Sequence, residues 1–413
     1  MTEPNNNSEA PPSGAADHPT KAPPSGAADH PAKPGEVVII GGGVAALEAL
    51  LALHDLARDR VALTLVSGED EFVDRPVTVA EPFHLRSAAH HSLPEIADEL
   101  DAKFVHAKVA GVDGSGRRVT CTDGTEISFD TLILAPGARQ RSPFADAIAF
   151  GLEGSREAVS EMLERLHSGE ARSAEFVAPS TTGWALPLYE LALMTALDLV
   201  RSGIEGVKLS LLSPDDRPLL LFGAHASKSV ARLLASAGID FVGSTIEPQG
   251  ADYVVTLPLL SGPELAGVPA AQPHDFIPVD EYGRVTGLDN VYAAGDAVDF
   301  PIKQGGLAAQ QADAVAEHVA ASYGASVEPR PFRPVLRGML FTGEEPLFMR
   351  SGVQGSDPDV PDAWHPLWWP PTKVAGRYLA PFLSGRGDVE PYGSHPIGFV
   401  DIDMPLTAAT LPG

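Results

Sequence analysis

Glu36-Val-Val-Ile-Ile-Gly-Gly-Gly-Val-Ala-Ala46 decides the fold. The run Glu36 to Ile40 is short, continuous and apolar, as suits a strand buried on both faces of a parallel sheet. The glycines that follow open a helical pattern reaching Leu56, and Val61-Ala-Leu-Thr-Leu-Val66 reads as a second parallel strand. This is a βαβ unit. In Gly41-x-Gly43-x-x-Ala46 the first small residue permits a tight turn and the second lets backbone approach a pyrophosphate. Ala45 and Ala46 keep the helix close to the strand. Backbone N–H groups and the helix dipole then face phosphate charge. The acid that usually grips a ribose about 20 residues further on is not cleanly present. Ser67 ends the second strand, and Glu69 is the candidate just beyond it.

Outward from this unit, the chain of 413 residues has material for two packed cores and a smaller third unit. Residues 1–34 are rich in Pro, Ala, Gly and Asp and repeat APPSGAADHP from Ala10 and again from Ala22. Such a segment buries too little apolar surface to offset its ordering entropy, and it reads as a disordered tail. No run approaches the roughly 20 apolar residues of a membrane-spanning helix, and no signal peptide is evident, so a cytoplasmic protein is expected. The net charge of −26 repels nucleic acid and anionic lipid. A single cysteine, Cys121, rules out a dithiol couple within one chain, so two-electron chemistry must reside in a cofactor.

Further along, an alternating, glycine-punctuated stretch from Ala107 to Ile127 reads as antiparallel ribbon, followed by Phe129-Asp-Thr-Leu-Ile-Leu-Ala-Pro-Gly-Ala138. A second βαβ-like set begins at Glu175-Phe-Val-Ala178, with helices near 187–200 and 224–237 and strands at 207–212 and 239–242. Asn290-Val-Tyr-Ala-Ala-Gly-Asp296 then leads to an Ala-rich helix from about Gly306 to Tyr323.

These segments, in this order, resemble the FAD-dependent pyridine nucleotide-disulfide oxidoreductase superfamily over roughly residues 36–325. The resemblance implies an α/β fold of two Rossmann-like, three-layer ββα dinucleotide-binding domains with an irregular C-terminal domain. It implies FAD, with Asp296 and Gly295 at the ribityl and pyrophosphate region, Ala135 and Gly137 in the turn between domains, and Val109 meeting the adenine through its backbone. Arg75, in Arg75-Pro76, stands where relatives bring a loop against the cofactor. The expected division is 1–34 tail, 35–145 and 271–328 FAD-binding parts, 146–270 second domain, and 329–413 a flavin-covering domain.

Within the superfamily the chain is most similar to the sulfide:quinone oxidoreductases and type II NADH dehydrogenases, and it departs from both. Ala178-Pro-Ser-Thr-Thr-Gly-Trp-Ala-Leu-Pro-Leu-Tyr-Glu190 has one glycine where an NADH site has several, and Trp184 and Leu186 obstruct close backbone approach. Trp184 stands where the sulfide enzymes carry a catalytic cysteine, so a persulfide route is not available. Lys303, in Phe300-Pro-Ile-Lys-Gln-Gly-Gly306, is the candidate for redox tuning, its ammonium set against charge that accumulates on reduction. Gln310 and Gln311 resemble the glutamine-bearing helix of the quinone site. Trp364, Trp368 and Trp369 read as docking aromatics.

The expectation is therefore an FAD-dependent oxidoreductase passing electrons from a small-molecule donor to a quinone-like or other small acceptor, with no nucleic acid, metal or cysteine relay. The competing expectation is an FAD-loaded scaffold with reduced catalysis. Homodimerisation and a protein partner for the tail are both compatible with the sequence.

Overall fold

The computed structural model describes residues 33–180, 183–352 and 366–386. The tail reading (residues 1–32) and Trp364 lie outside them. The first sheet is built from β1 (Gly35–Ile40), β2 (Val61–Ser67), β3 (Lys103–His106), β4 (Thr131–Leu134) and a late strand, Val291–Ala293. Their order is Val291–Ala293, β4, β1, β2, β3, and every neighbouring pair is parallel.

Side-chain alternation explains why β1 is apolar throughout. Val37 and Ile39 face α1 (Val44–Leu56), whereas Val38 and Ile40 face a three-stranded antiparallel ribbon (Val109–Asp113, Arg118–Cys121, Glu126–Ser128) through Val112 and Val119. Each such side chain, fully buried, stabilises the fold by roughly 1.5–3 kcal/mol. The helix layer is completed by Gly305–Ser322, whose Ala308, Ala312, Ala316 and Ala320 are small enough for α1 to pack closely against them. Cys121 is buried in the ribbon, and burial pushes its thiol pKa up, as befits a packing residue rather than a nucleophile.

The second sheet uses β5 (Ile148–Ala149), β6 (Ser173–Val177), β7 (Lys208–Leu212), β8 (Ile239–Val242) and β9 (Tyr253–Thr256), in the order β5-β9-β6-β7-β8, again all parallel. Three helices accompany it: α2 (Ser155–Ser168), α3 (Leu186–Arg201) and α4 (Ala224–Ser236). The sequence reading lacks β5, α2 and β9, which gain their stability from the core they join. With β10 (Val291–Ala293) and α5 (Gly305–Ser322) the chain returns to the first sheet. Two parallel sheets with helical layers are the α/β class expected above.

The described residues of the C-terminal region include regular elements. An antiparallel hairpin, β11 (Val335–Leu340) and β12 (Leu347–Gly352), packs Met339, Leu340, Phe348 and Met349 into the second core, and a short helix, α6 (Leu379–Gly385), packs Leu379 and Leu383 against α1 and α5. Glu48 holds that helix in place: its carboxylate, buried within α1, accepts the N–H groups of Tyr378 at 2.7 Å and Leu379 at 2.8 Å.

Candidate functional site

The glycine turn forms because β1 and β4 end side by side. Ala135 donates its N–H to the Ile40 carbonyl at 2.8 Å, and Gly41 donates to the Val66 carbonyl at 2.8 Å. Gly41 has φ +124°, and any Cβ there would collide with the Ala135 carbonyl oxygen, so only glycine fits. Gly43 is different: it caps α1 without a side-chain partner, and a Cβ on it would meet nothing within 4 Å. Its glycine is therefore not demanded by the protein's own packing. The open space in front of the helix's unpaired N–H groups fits a pyrophosphate.

The sheet brings the second turn to the same place. Gly295, φ +80°, is so near α1 that a Cβ on it would lie 3.0 Å from that of Ala45, and its N–H is held by Gln311 Oε1 at 2.7 Å. Ala46 is fully buried beneath. Gly137, φ +77°, faces open space just beyond β4. At the far end the Ala107 N–H, two residues before Val109, donates to Ser67 O at 2.8 Å, and Lys108 packs over Gly68. Glu69 is exposed there, its backbone N–H held by Ser67 Oγ at 3.0 Å. Gly41, Ser67, Ala135 and Gly295 thus lie at or just after the C-terminal ends of parallel strands of the first sheet.

Three charges meet beside Gly295. Burial pushes the Asp296 carboxyl upward, opposed by the cations Lys303 and Arg75. Burial pulls Lys303 down to about 8, opposed by Asp296 and Asp299. Lys303 is 7% exposed, donates to the Val298 carbonyl and lies 3.5 Å from the centre of the Phe276 ring. It is an interior ammonium rather than a solvated one.

The glutamines serve the scaffold. Gln310 binds the Gly306 and Val335 carbonyls and the Val335 N–H, each at 2.9 Å, and Gln311 is occupied by Gly295. Trp368 packs edge-on against Phe348 at 5.1 Å and donates to the Thr372 carbonyl, in keeping with a docking aromatic.

Opposite Asp296 and Lys303 stands the loop between β6 and α3. Gln140, Ser180, Trp184 and Leu257 line a cleft of about 180 Å³ that ends on Asp296 and Lys303. The Gly183 N–H donates to the Pro301 carbonyl at 2.9 Å, tying this loop to the Lys303 segment, and Trp184 rests edge-on against Phe222 at 5.8 Å. Leu186 and Leu188 are buried at the start of α3. Apolar side chains therefore occupy the turn where a second pyrophosphate would need bare backbone.

Three further ionisable residues, Glu190, Lys373 and Asp74, have no role in the sequence reading. Lys373 Nζ lies 2.6 Å from both carboxylate oxygens of Glu190, and both side chains are buried. Burial drives each toward its neutral form, and their pairing opposes it. Asp74 is also buried, and burial raises its carboxyl to about 6, with Lys373 as the countering charge. A lone acid within an apolar stretch of helix, as Glu190 is between Tyr189 and Leu191, was the available signal that a buried partner existed.

Comparison with known proteins accords with this geometry. Residues 35–178 match the model of the family described as pyridine nucleotide-disulphide oxidoreductase. An NADH dehydrogenase-like protein of Mycobacterium tuberculosis is 27% identical over 300 residues, spanning 63% of this chain and 72% of its own. An oxidoreductase of Pestalotiopsis fici is 25% identical over 347 residues, 74% of this chain and 87% of its own. The sulfide:quinone oxidoreductase of Aquifex aeolicus shares the fold, with a TM-score of 0.73 over 80% of this chain and 86% of its own at 20% identity. Through residues 35–178 this chain is similar to the pyridine nucleotide-disulphide oxidoreductase family, in keeping with a flavin-dependent oxidoreductase whose cofactor is FAD.

Proposed function

We propose that the chain passes electrons from a small reduced donor, through non-covalently held FAD, to a quinone-like or other small acceptor without a cysteine relay. The observation that carries this reading is that Asp296, on which the charges of Lys303 and Arg75 act, follows Gly295, which packs against Ala45 at the start of α1. Bound FAD would supply two-electron chemistry that no side chain here can supply. Gly41, Gly43, Ala45, Ala46, Gly137 and Gly295 would line its cradle, with Ser67, Glu69 and Val109 at the adenosine end and Asp296 near the ribityl chain.

The protein's own contribution is electrostatic. Lys303, charged below about pH 8, would offset negative charge that develops on reduction, and Arg75 would neutralise phosphate. The Val298 carbonyl and Phe276 ring hold the Lys303 ammonium in place, so no reorganisation is needed when that charge appears. Trp184 and the Gly183–Pro301 hydrogen bond narrow the donor side, which favours a donor smaller than a dinucleotide bound in the usual extended mode. Among the described residues no helix is long and apolar enough to cross a membrane, and the net charge of −26 suits a cytoplasmic protein using diffusible partners.

Anaerobic addition of NADH, NADPH and sulfide to the purified protein, followed by flavin absorbance, tests the reading. Bleaching by one of them identifies the donor class. A spectrum that stays oxidised with all three favours an FAD-loaded scaffold instead.

A further inference from the structure

The cluster Asp74, Lys373 and Glu190 has a charge balance that the fold leaves open. Two carboxyls and one ammonium, all buried, carry a net charge of −1 when fully ionised, and an uncompensated interior charge is costly. Glu190 takes most of the available compensation, with both oxygens on Lys373 and a further N–H from Phe341 at 2.8 Å. Asp74 is left with little. It is 8% exposed, its Oδ1 has no hydrogen-bond partner, and Lys373 acts on it through space. The other titratable groups around it are His91, buried opposite Phe72 in the adjoining antiparallel pair, His90, which pairs with Glu71 at 3.0 Å, Arg156 of α2, which pairs with Glu81, and Arg75, whose charge acts on Asp296 through space.

This cluster borders the proposed cofactor cradle on two sides. Asp74 immediately precedes Arg75, whose charge reaches Asp296. Val374, next to Lys373, rests on the first residue of α5: a Cβ on Gly305 would lie 2.9 Å from Val374 and 3.7 Å from Val44, which opens α1. A change of charge in the cradle is therefore felt by Lys373 and Asp74 through a low-dielectric interior.

We infer that Asp74 is the charge-compensating group of this site: its carboxylate takes one proton from solvent when reduction places negative charge in the cradle, and returns it on reoxidation. The inference rests on the FAD reading above. Two electrons and one proton entering FAD leave one added negative charge, and the proton bound by Asp74 cancels it. No bond to substrate forms or breaks at Asp74. Lys373, pinned by Glu190, holds the balance point between the two carboxyls.

Infrared difference spectroscopy tests this apart from turnover. In FAD-free protein, wild type minus Asp74→Asn should isolate one protonated-carboxyl band that titrates near pH 6, and Asp74→Glu, which keeps the carboxyl, should restore such a band. In the FAD-loaded protein at pH 7, photoreduction should strengthen that band in wild type and leave Asp74→Asn unchanged. The absence of a difference band in FAD-free protein would overturn the assignment of the proton to Asp74. A band indifferent to reduction would overturn its coupling to the flavin. A protein that is colourless and refuses added flavin would instead sink the FAD reading, leaving the carboxyl titration to be judged by itself.

Discussion

Lys373 closes on Glu190 across 183 positions of sequence, its Nζ at 2.6 Å from each carboxylate oxygen. The pair joins the C-terminal segment to a helix of the second sheet beside the proposed cofactor cradle.

Breaking this pair from one side strands a buried charge. Lys373→Met or Glu190→Gln should each cost about 3–5 kcal/mol. The double replacement by apolar residues should cost less than the sum of the two, because no unpaired charge remains. Urea unfolding of the three variants measures this, and simple additivity would show that the pair does not act as a unit.

Asp74 gives a pH dependence with a definite sign. Its folded-state carboxyl lies at about 6 against an ordinary value of 3.8, so its contribution is fully present below about pH 4 and is lost as pH rises through 6. Asp74→Asn removes that loss. The variant should gain up to about 3 kcal/mol relative to wild type on passing from pH 4 to pH 7. Chemical denaturation at the two pH values decides it; equal differences at both would place the Asp74 carboxyl at its ordinary value.

Two glycines two residues apart should behave differently. Gly41→Ala forces a Cβ into the Ala135 carbonyl at φ +124° and should destabilise the fold itself. Gly43→Leu meets no protein atom near its Cβ and should leave thermal stability of the FAD-free protein within about 1 kcal/mol while lowering FAD retention. Asp296→Ala should likewise lower retention. Flavin content of the purified variants is the measurement, and full yellow colour in Gly43→Leu and Asp296→Ala would refute the cradle.

Lys303 is charged below about pH 8 and neutral above it. If its ammonium offsets charge on the reduced cofactor, flavin reduction should slow as pH rises through 8 in wild type. In Lys303→Met it should be slower, by roughly tenfold or more, and lack that step. Stopped-flow reduction across pH 6 to 10 reads both; a step near 8 that survives in the variant assigns it to another group.

Most of the first sheet was legible because local chemistry and tertiary role coincide there. The apolar run 36–40, the glycines at 41–43 and the turn at Gly295-Asp296 each carry their requirement within a few residues, since a φ of +124° or a two-faced strand restricts residue type locally. The Ala-rich stretch beginning near Gly306 was legible as a helix for the same reason. The C-terminal hairpin and α6 were not, since they are held by Trp368 and Glu48, partners from elsewhere in the fold.

By itself, then, the sequence determined a βαβ unit with a phosphate-type turn, a second parallel sheet whose corresponding turn is filled by Trp184 and Leu186, and an electron chemistry that cannot be a cysteine pair. Only the tertiary structure decided that Arg75, Asp296 and Lys303 share one electrostatic neighbourhood and that Asp74, Glu190 and Lys373 form one buried cluster. The reason is physical. Backbone conformation is imposed by neighbours along the chain, whereas desolvation and ion pairing act through space, between residues that the chain order keeps far apart.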